Sequence, residues 1–411
     1  MKKPEVLVPA GSLEVLKTAV GFGADAVYIG GEVFSLRAKA KNFPLSDMRE
    51  GITFAHERGV KVYVTVNIFA HNSDLKEAEA YLHKLKEIAP DALIISDPGI
   101  FSLARKIVPE IDIHISTQSN NTNYATYDFW HDLGAKRVVS ARELSIDELA
   151  EIKEHIGSDM EIETFVHGAM CISYSGRCLL SNFLTGRDAN RGECTHPCRW
   201  KYALVEETRE GEYMPIEEEE GKGTYIFNSK DLCMIEHIPE LVSARLDSYK
   251  IEGRMKSALY VATVARTYRH AVDDYFESPE KYEKNLPWYT DQISDCTYRQ
   301  FTTGFFFGKP GADSQIYGES TYVVEYVYLG YAEEIRDDGW VRVTQRNKFF
   351  VGDVIEVMKP DGTNPSVKVE AMRNASGEDM DSCPHAGETI YIQLPGGAEI
   401  NIYDILRVKK T

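Results

Sequence analysis

No stretch of this chain approaches the roughly 20 consecutive apolar residues that a membrane-spanning helix requires. Its first residues, MKKPEVLVPAGSLEVL, lack the apolar core and small-residue cleavage site of a secretory signal. A cytoplasmic location and no membrane partner are therefore expected. Positive charge is also in short supply: 46 Lys and Arg stand against 64 Asp and Glu, a net charge of −18. Such a chain is no polycation that holds nucleic acid by releasing counterions, so RNA contact would need a local basic patch. The hydrolase signatures HExxH and GxSxG are absent, and so are the C-x2-C knuckles common in zinc sites.

What is present starts with a hydrophobic share of 43% over 411 residues, enough for one large domain and a smaller one. Short apolar, β-branched runs alternate with stretches whose apolar residues recur at spacings of three and four, such as LEVLKTAVGFG and DLKEAEAYLHKLKEIA. Eight such runs begin at Glu5, Ala26, Val60, Ala92, Asp112, Arg137, Glu161 and Leu246. Eight β units fit a closed (β/α)8 barrel of TIM type better than an open sheet. The barrel is expected over residues 1–280, with a long insertion at about 168–245 between the seventh and eighth strands. A long connection inside a compact domain is usually functional. The aromatic, glycine-bearing stretch within 281–321 is read as an irregular connector. Residues 322–411 turn to alternating strands and turns, the pattern of a small antiparallel β-barrel domain. The acidic run EEEEGKG from Glu217 reads as a solvated hairpin tip.

Seven cysteines are an odd number, and four of them crowd into the 28 residues from Cys171 to Cys198, unlike a secreted disulfide framework. In ETFVHGAMCISYSGRCLLS the seventh strand runs out into a glycine-rich turn carrying Cys171 and Cys178, at the face where barrels build active sites. NRGECTHPCRW adds Cys194 and Cys198, and SKDLC adds Cys233. Several thiolates on separate loops suit a soft multi-iron centre, which takes four cysteine ligands. Zinc on four thiolates is the rival metal, and burial as small hydrophobes is the plain alternative. Spacing alone selects the four neighbours and so includes Cys198.

The run from Glu163 to Ser181 resembles the signature of the U32 group, named as collagenase-like peptidases: E-x-F-x2-G-A-M-C-x4-G-x-C-x-L-S. The likeness extends through PAGSLE at Pro9, YIGG at Tyr28, FSLRAKAKNF at Phe34, NRGEC at Asn190, KIEGRMKS at Lys250 and TGFFFG at Thr303. Within the group, length and the C-terminal β-barrel look most like the tRNA hydroxylation proteins, which convert a wobble uridine to 5-hydroxyuridine and depend on prephenate. The resemblance thus implies tRNA, at its anticodon region, as partner, prephenate as co-substrate, and a dioxygen-independent reaction on a four-iron four-sulfur (4Fe-4S) cluster. A paralogous U32 protein is a further candidate partner. It also implies Cys171, Cys178, Cys194 and Cys233 as cluster ligands, with Cys198 as the alternate. A U32-type peptidase is the competing activity, and hydroxylation of another RNA or a small aromatic molecule is a third.

Polar residues at strand ends supply the remaining candidates. Glu163 and His167, at i and i+4 of one strand, are expected on one face, within reach of the barrel mouth as catalytic groups. Lys250 and Glu252 share a face of the eighth strand, as a catalytic pair or a salt bridge with each other. Arg37, Asn67, Gln118, Arg142 and Arg254 are candidate substrate-binding residues, the guanidinium forks suiting carboxylate or phosphate. Phe305, Phe306 and Phe307 are weighed as base-stacking or core residues. Arg346, Lys348, Lys368 and the RVKK terminus are weighed as RNA contacts.

Overall fold

The computed structural model describes residues 2–36, 42–171, 173–200, 229–296, 299–310, 314, 316, 325–396 and 398–410. Seven strands come first: β1 (Glu5–Pro9), β2 (Ala26–Gly30), β3 (Lys61–Val66), β4 (Ala92–Ile95), β5 (Asp112–Ile115), β6 (Arg137–Val139) and β7 (Glu161–Gly168). They lie side by side, parallel, in chain order. A short strand β8 (Asp231–Cys233) pairs antiparallel with the end of β7, and β9 (Ser248–Ile251) then pairs parallel with both β7 and β1. That double pairing closes the expected TIM-type barrel, with β9 as its eighth strand.

Alternation along each strand explains the two apolar layers. Leu7, Ala26, Tyr28, Tyr63, Ala92 and Ile94 form a cluster of their own. Their sequence neighbours Val6, Val8, Val27, Val62 and Leu93 join the larger core shared with the helices. The helices are α1 (Leu13–Gly21), α2 (Leu45–His56), α3 (Leu75–Ile88), α4 (Pro98–Ile107), α5 (Tyr124–Asp132), α6 (Ile146–His155), α7 (Leu180–Thr185), α8 (Ile238–Ser243), α9 (Ala258–Glu277) and α10 (Pro279–Asp295). Side-chain caps start several of them. Asp97 accepts the Ile100 N–H at 2.9 Å, so this strand-end carboxylate opens α4, and Ser145 with Glu148 forms a complete capping box on α6.

Helix α10 corrects the expectation of an irregular connector. Pro287 lies inside it, where a missing N–H normally ends a helix. Packing prevails: the Tyr282 and Tyr289 rings stack at 5.6 Å, and their hydroxyls donate to the Ile235 carbonyl at 2.8 Å and to Asp274 at 2.6 Å. Ser278 ends α9 in extended backbone and, with the same residue, caps α10 by accepting the Lys281 N–H at 3.1 Å.

Beyond β10 (Phe301–Thr302), which extends β8, come β11 (Tyr326–Ile335), β12 (Trp340–Thr344), β13 (Val354–Met358), β14 (Ser366–Lys368), β15 (Ala371–Asn374), β16 (Thr389–Gln393) and β17 (Ile405–Lys409). These seven form an antiparallel sheet in the order β14-β13-β17-β11-β12-β16-β15, a half-barrel around its own core. The half-barrel is fastened to the helices outside the main barrel. Arg266 of α9 donates to the Lys359 carbonyl at 2.7 Å, and buried Arg407 meets Asp295 at 3.2 Å. Arg346, weighed above as an RNA contact, is paired with Glu14 of α1. Among the described residues no helix is long and apolar enough to cross a membrane.

Candidate active site at the barrel mouth

Strand β7 determines which of its side chains reach the interior. Phe165 pairs with Lys250 and His167 with Ile251, two steps on β7 against one on β9, so Val166 is an inserted bulge residue. Glu163 and Phe165 face inward, and the bulge turns His167 to the outer side. There His167 packs among the rings of Tyr268, Phe301 and Tyr260 at 5.6, 5.7 and 6.0 Å. Burial, with Lys256 nearby, holds its imidazole down to about 3, hence neutral. The expectation that Glu163 and His167 share one face fails for this reason.

Glu163 has no exposed surface and is held between two cations, Lys250 Nζ at 2.6 Å and Arg137 Nη1 at 3.0 Å. Arg137 also reaches Glu5 at 2.6 Å and Glu161 at 2.7 Å. Burial alone would raise the Glu5 carboxyl, but the Arg137 guanidinium outweighs it and holds Glu5 below the ordinary carboxylate range. Lys250 therefore bridges to Glu163, the partner that sequence spacing did not suggest. Its ammonium sits 4.5 Å from the centre of the Tyr28 ring and 5.4 Å from that of Phe165.

Above this floor opens a cavity at the C-terminal ends of the strands. Asn67, Gln118, Arg142, Glu252 and Arg254 all line it with Tyr28, Phe165 and Lys250. Asn67 accepts the Leu36 N–H at 3.3 Å, and Gln118 is 3.2 and 3.3 Å from the Ser96 and Ser116 hydroxyls. Tyr28 donates to the Ile251 carbonyl at 2.9 Å and reaches Glu252 at 3.2 Å. Arg254 donates to Ser35 at 2.7 Å and to the Leu36 carbonyl. The YIGG run makes this possible: a Cβ on Gly30 would collide with the Arg254 guanidinium and the Ser35 hydroxyl. Gly168, at φ +107°, turns β7 out of the barrel, and a Cβ there would meet the Glu252 carbonyl at 2.6 Å. Tyr28 was missed from sequence although its place, two residues before Gly30 on an inward-facing strand position, could have flagged it. Arg37 and the acidic run at Glu217 lie outside the described residues.

The start of the insertion roofs the cavity and is tied to three strand ends. Arg142, after β6, donates to the Ala169 carbonyl and the Ser175 hydroxyl, both at 2.9 Å, and to Cys171 Sγ at 3.3 Å. Asn120, after β5, donates to the Ser175 carbonyl at 3.0 Å, and Arg191 pairs with Asp74, after β3, at 2.7 Å. Four thiols line this one cavity: Cys171, Cys178, Cys194 and Cys198. Burial pushes the Cys198 thiol up to about 11, and charge on Cys171, Cys194 and Cys178 adds to the rise against Arg199. Cys233 is elsewhere. It sits on β8 opposite His167, with Sγ 3.9 Å from the Tyr268 hydroxyl, and burial pushes it up to about 12. Cys198, the alternate of the expected set, thus opens onto the cavity with the other three, while β8 pairs along the outer turn of β7 and presents Cys233 to α9.

Among the described residues no group of three or more His, Cys, Asp or Glu side chains is already set to grip a metal ion. The fit to an iron-sulfur group rests on donor chemistry: four soft thiol donors line one cavity.

Of the three adjacent phenylalanines, Phe306 is buried, its carbonyl accepting the Ile146 N–H at 3.0 Å. Phe305 borders a second groove that shares Cys171 and Tyr174 with the main cavity. Phe307 is exposed and lies 4.6 Å from the His237 ring.

Residues 11–316 match the family model described as Peptidase family U32, and residues 324–407 match that described as Peptidase family U32 C-terminal domain. The chain is 41% identical over 394 residues to the Bacillus subtilis (strain 168) protein named tRNA hydroxylation protein P1, covering 96% of this chain and 92% of that one. It is 39% identical over 448 residues to tRNA hydroxylation protein P of Escherichia coli (strain K12), covering 99% and 97%. It is also 37% identical over 273 residues to a 23S rRNA 5-hydroxycytidine synthase of Escherichia coli (strain K12), covering 66% of this chain and 40% of that protein.

Proposed function

The chain belongs to peptidase family U32, and from that membership we propose that it is an RNA-modifying enzyme that hydroxylates the wobble uridine of tRNA to 5-hydroxyuridine. The observation that carries the proposal is the opening of four thiols and a polar, ion-paired barrel floor onto one cavity. The names of the full-length relatives support RNA hydroxylation as the reaction class.

A stacked base hides its fifth carbon, so the uridine must leave the anticodon stack to enter. Tyr28 and Phe165 offer flat faces for the ring, and Asn67 and Gln118 bring carboxamides to its imide edge. Lys250, oriented by Glu163, places positive charge on the floor, where it favours a carbonyl oxygen gaining negative charge. Arg142 joins the roof to the strand ends, so it keeps the thiol-bearing loop over the base. When bound on Cys171, Cys178, Cys194 and Cys198, a 4Fe-4S group would supply one-electron redox capacity beside the substrate. The oxygen source is read as prephenate-linked and independent of dioxygen, its carboxylates drawn by the positive charge that Lys250, Arg142 and Arg254 bring to the cavity wall.

Nucleoside mass spectrometry on tRNA from a deletion strain, with and without this gene restored, tests the proposal. 5-Hydroxyuridine should vanish in the deletion and return on complementation. Unchanged tRNA together with a lost peptide-cleaving activity would replace the proposal with the hydrolase.

A further inference from the structure

Phe183 is 83% exposed, more than any other large hydrophobic residue among the described residues, and it lies between Leu179 at 67% and Leu184 at 43%. Single exposed apolar residues are ordinary, but a run of them on an ordered element is not. This one is ordered. The Ser181 hydroxyl, buried beneath α7, accepts the Thr195 N–H at 3.1 Å, the Thr185 hydroxyl donates to the Ser181 carbonyl at 2.6 Å, and Gly186 closes the helix in left-handed backbone. Ser181 also lines the cavity, so the outcrop is built onto the cavity wall.

The stretch of sequence that carries the outcrop is charged against the rest of the chain. Residues 169–200 carry four arginines, Arg177, Arg187, Arg191 and Arg199, against two carboxylates, Asp188 and Glu193, a local +2 in a chain of net −18. Arg191 is spent on the Asp74 tether. Arg177 and Arg187 share the insertion with the apolar outcrop and with Tyr174 and Trp200, 46% and 41% exposed. Aromatic faces interleaved with guanidinium groups suit a single-stranded nucleic acid, whose bases stack while its phosphates pair with cations.

We propose that α7 is the stacking platform for the nucleotides flanking the base held in the cavity, with a neighbouring base on the Phe183 ring, flanked by Leu179, and the backbone passing the arginines. This rests on the RNA-modifying reading of the same cavity and adds the surface that holds the rest of the loop. Continuity with the cavity wall and the local positive charge favour RNA over a protein partner.

The test uses the full chain and a fluorescently labelled anticodon stem–loop RNA, with affinity read by anisotropy and assembly state by sedimentation. Phe183→Ala should weaken binding by about 5- to 150-fold, the range for losing one stacked base, while Phe183→Trp keeps it. Exposure of Phe183 makes unchanged thermal unfolding the expected folding control. Wild-type affinity in Phe183→Ala would overturn the proposal, and so would an unchanged affinity accompanied by a smaller sedimenting species, which would make α7 a contact between copies. A wild-type protein that binds no stem–loop would overturn the RNA reading itself, and the platform with it. A wild type that binds and modifies RNA beside an unaffected Phe183→Ala would overturn the platform alone.

Discussion

The Lys250 ammonium stands 2.6 Å from a carboxylate oxygen of Glu163, whose other oxygen is 3.0 Å from Arg137, and none of the Glu163 side chain meets solvent. Glu163→Gln would leave two cations facing a neutral amide in a closed interior. Breaking a buried pair by removing one partner costs about 3–5 kcal/mol. Denaturant unfolding should show a loss of that size, and a variant as stable as the wild type would mean that the ion pair contributes nothing net.

The neighbouring outward residue predicts a pH effect. His167 is held neutral down to about 3 against an ordinary 6.5, so the unfolded chain takes up a proton below 6.5 that the folded chain refuses. Stability from this group is complete above pH 6.5 and is lost as pH falls towards 3, at no more than about 1.4 kcal/mol per unit. His167→Phe should flatten that part of the stability curve relative to wild type. Parallel curves between pH 6.5 and 4 would show that His167 is protonated in the folded state.

Cys198 opens onto the cavity and Cys233 does not, and the proposed cluster on the cavity thiols gives the two different expected outcomes. Cys198→Ala should lower the iron bound per chain and the visible absorbance of anaerobically purified protein, while Cys233→Ala keeps both. The opposite pattern would restore Cys233 to the ligand set that the family resemblance implies.

Gly30→Ala should disturb Arg254 without touching the reacting groups. The added methyl would collide with the guanidinium and with Ser35, so the segment at Leu36 loses its anchor. Tighter overpacking of this kind costs about 1–3 kcal/mol. A stable variant with ordinary tRNA modification in the complementation assay would show that Arg254 has room to move.

How far the molecule was legible before folding depends on the range of each signal. The barrel strands announce themselves through β-branched runs such as VKVYVTV, and the closing helix through Ser257 at its N-cap. The bulge at Val166 gives no local signal, because it exists only in the pairing of β7 with β9, and it alone decides where His167 points. Which of Cys198 and Cys233 opens onto the cavity likewise depends on the path of β8. Helix α10 was hidden by Pro287, whose usual meaning was reversed by two tyrosines burying their rings.

Ser278, the single residue between α9 and α10, has a consequence for how such chains can lengthen. Each residue added within a helix turns everything beyond it by about 100° and advances it about 1.5 Å. An insertion in α10 would therefore swing Asp295 away from Arg407 and remove one of the ties that hold the half-barrel, leaving those from Arg266 and Arg346. The length of α10 thus sets the distance and the angle at which Asp295 meets Arg407, and this helix acts as a gauge between the barrel and its C-terminal neighbour.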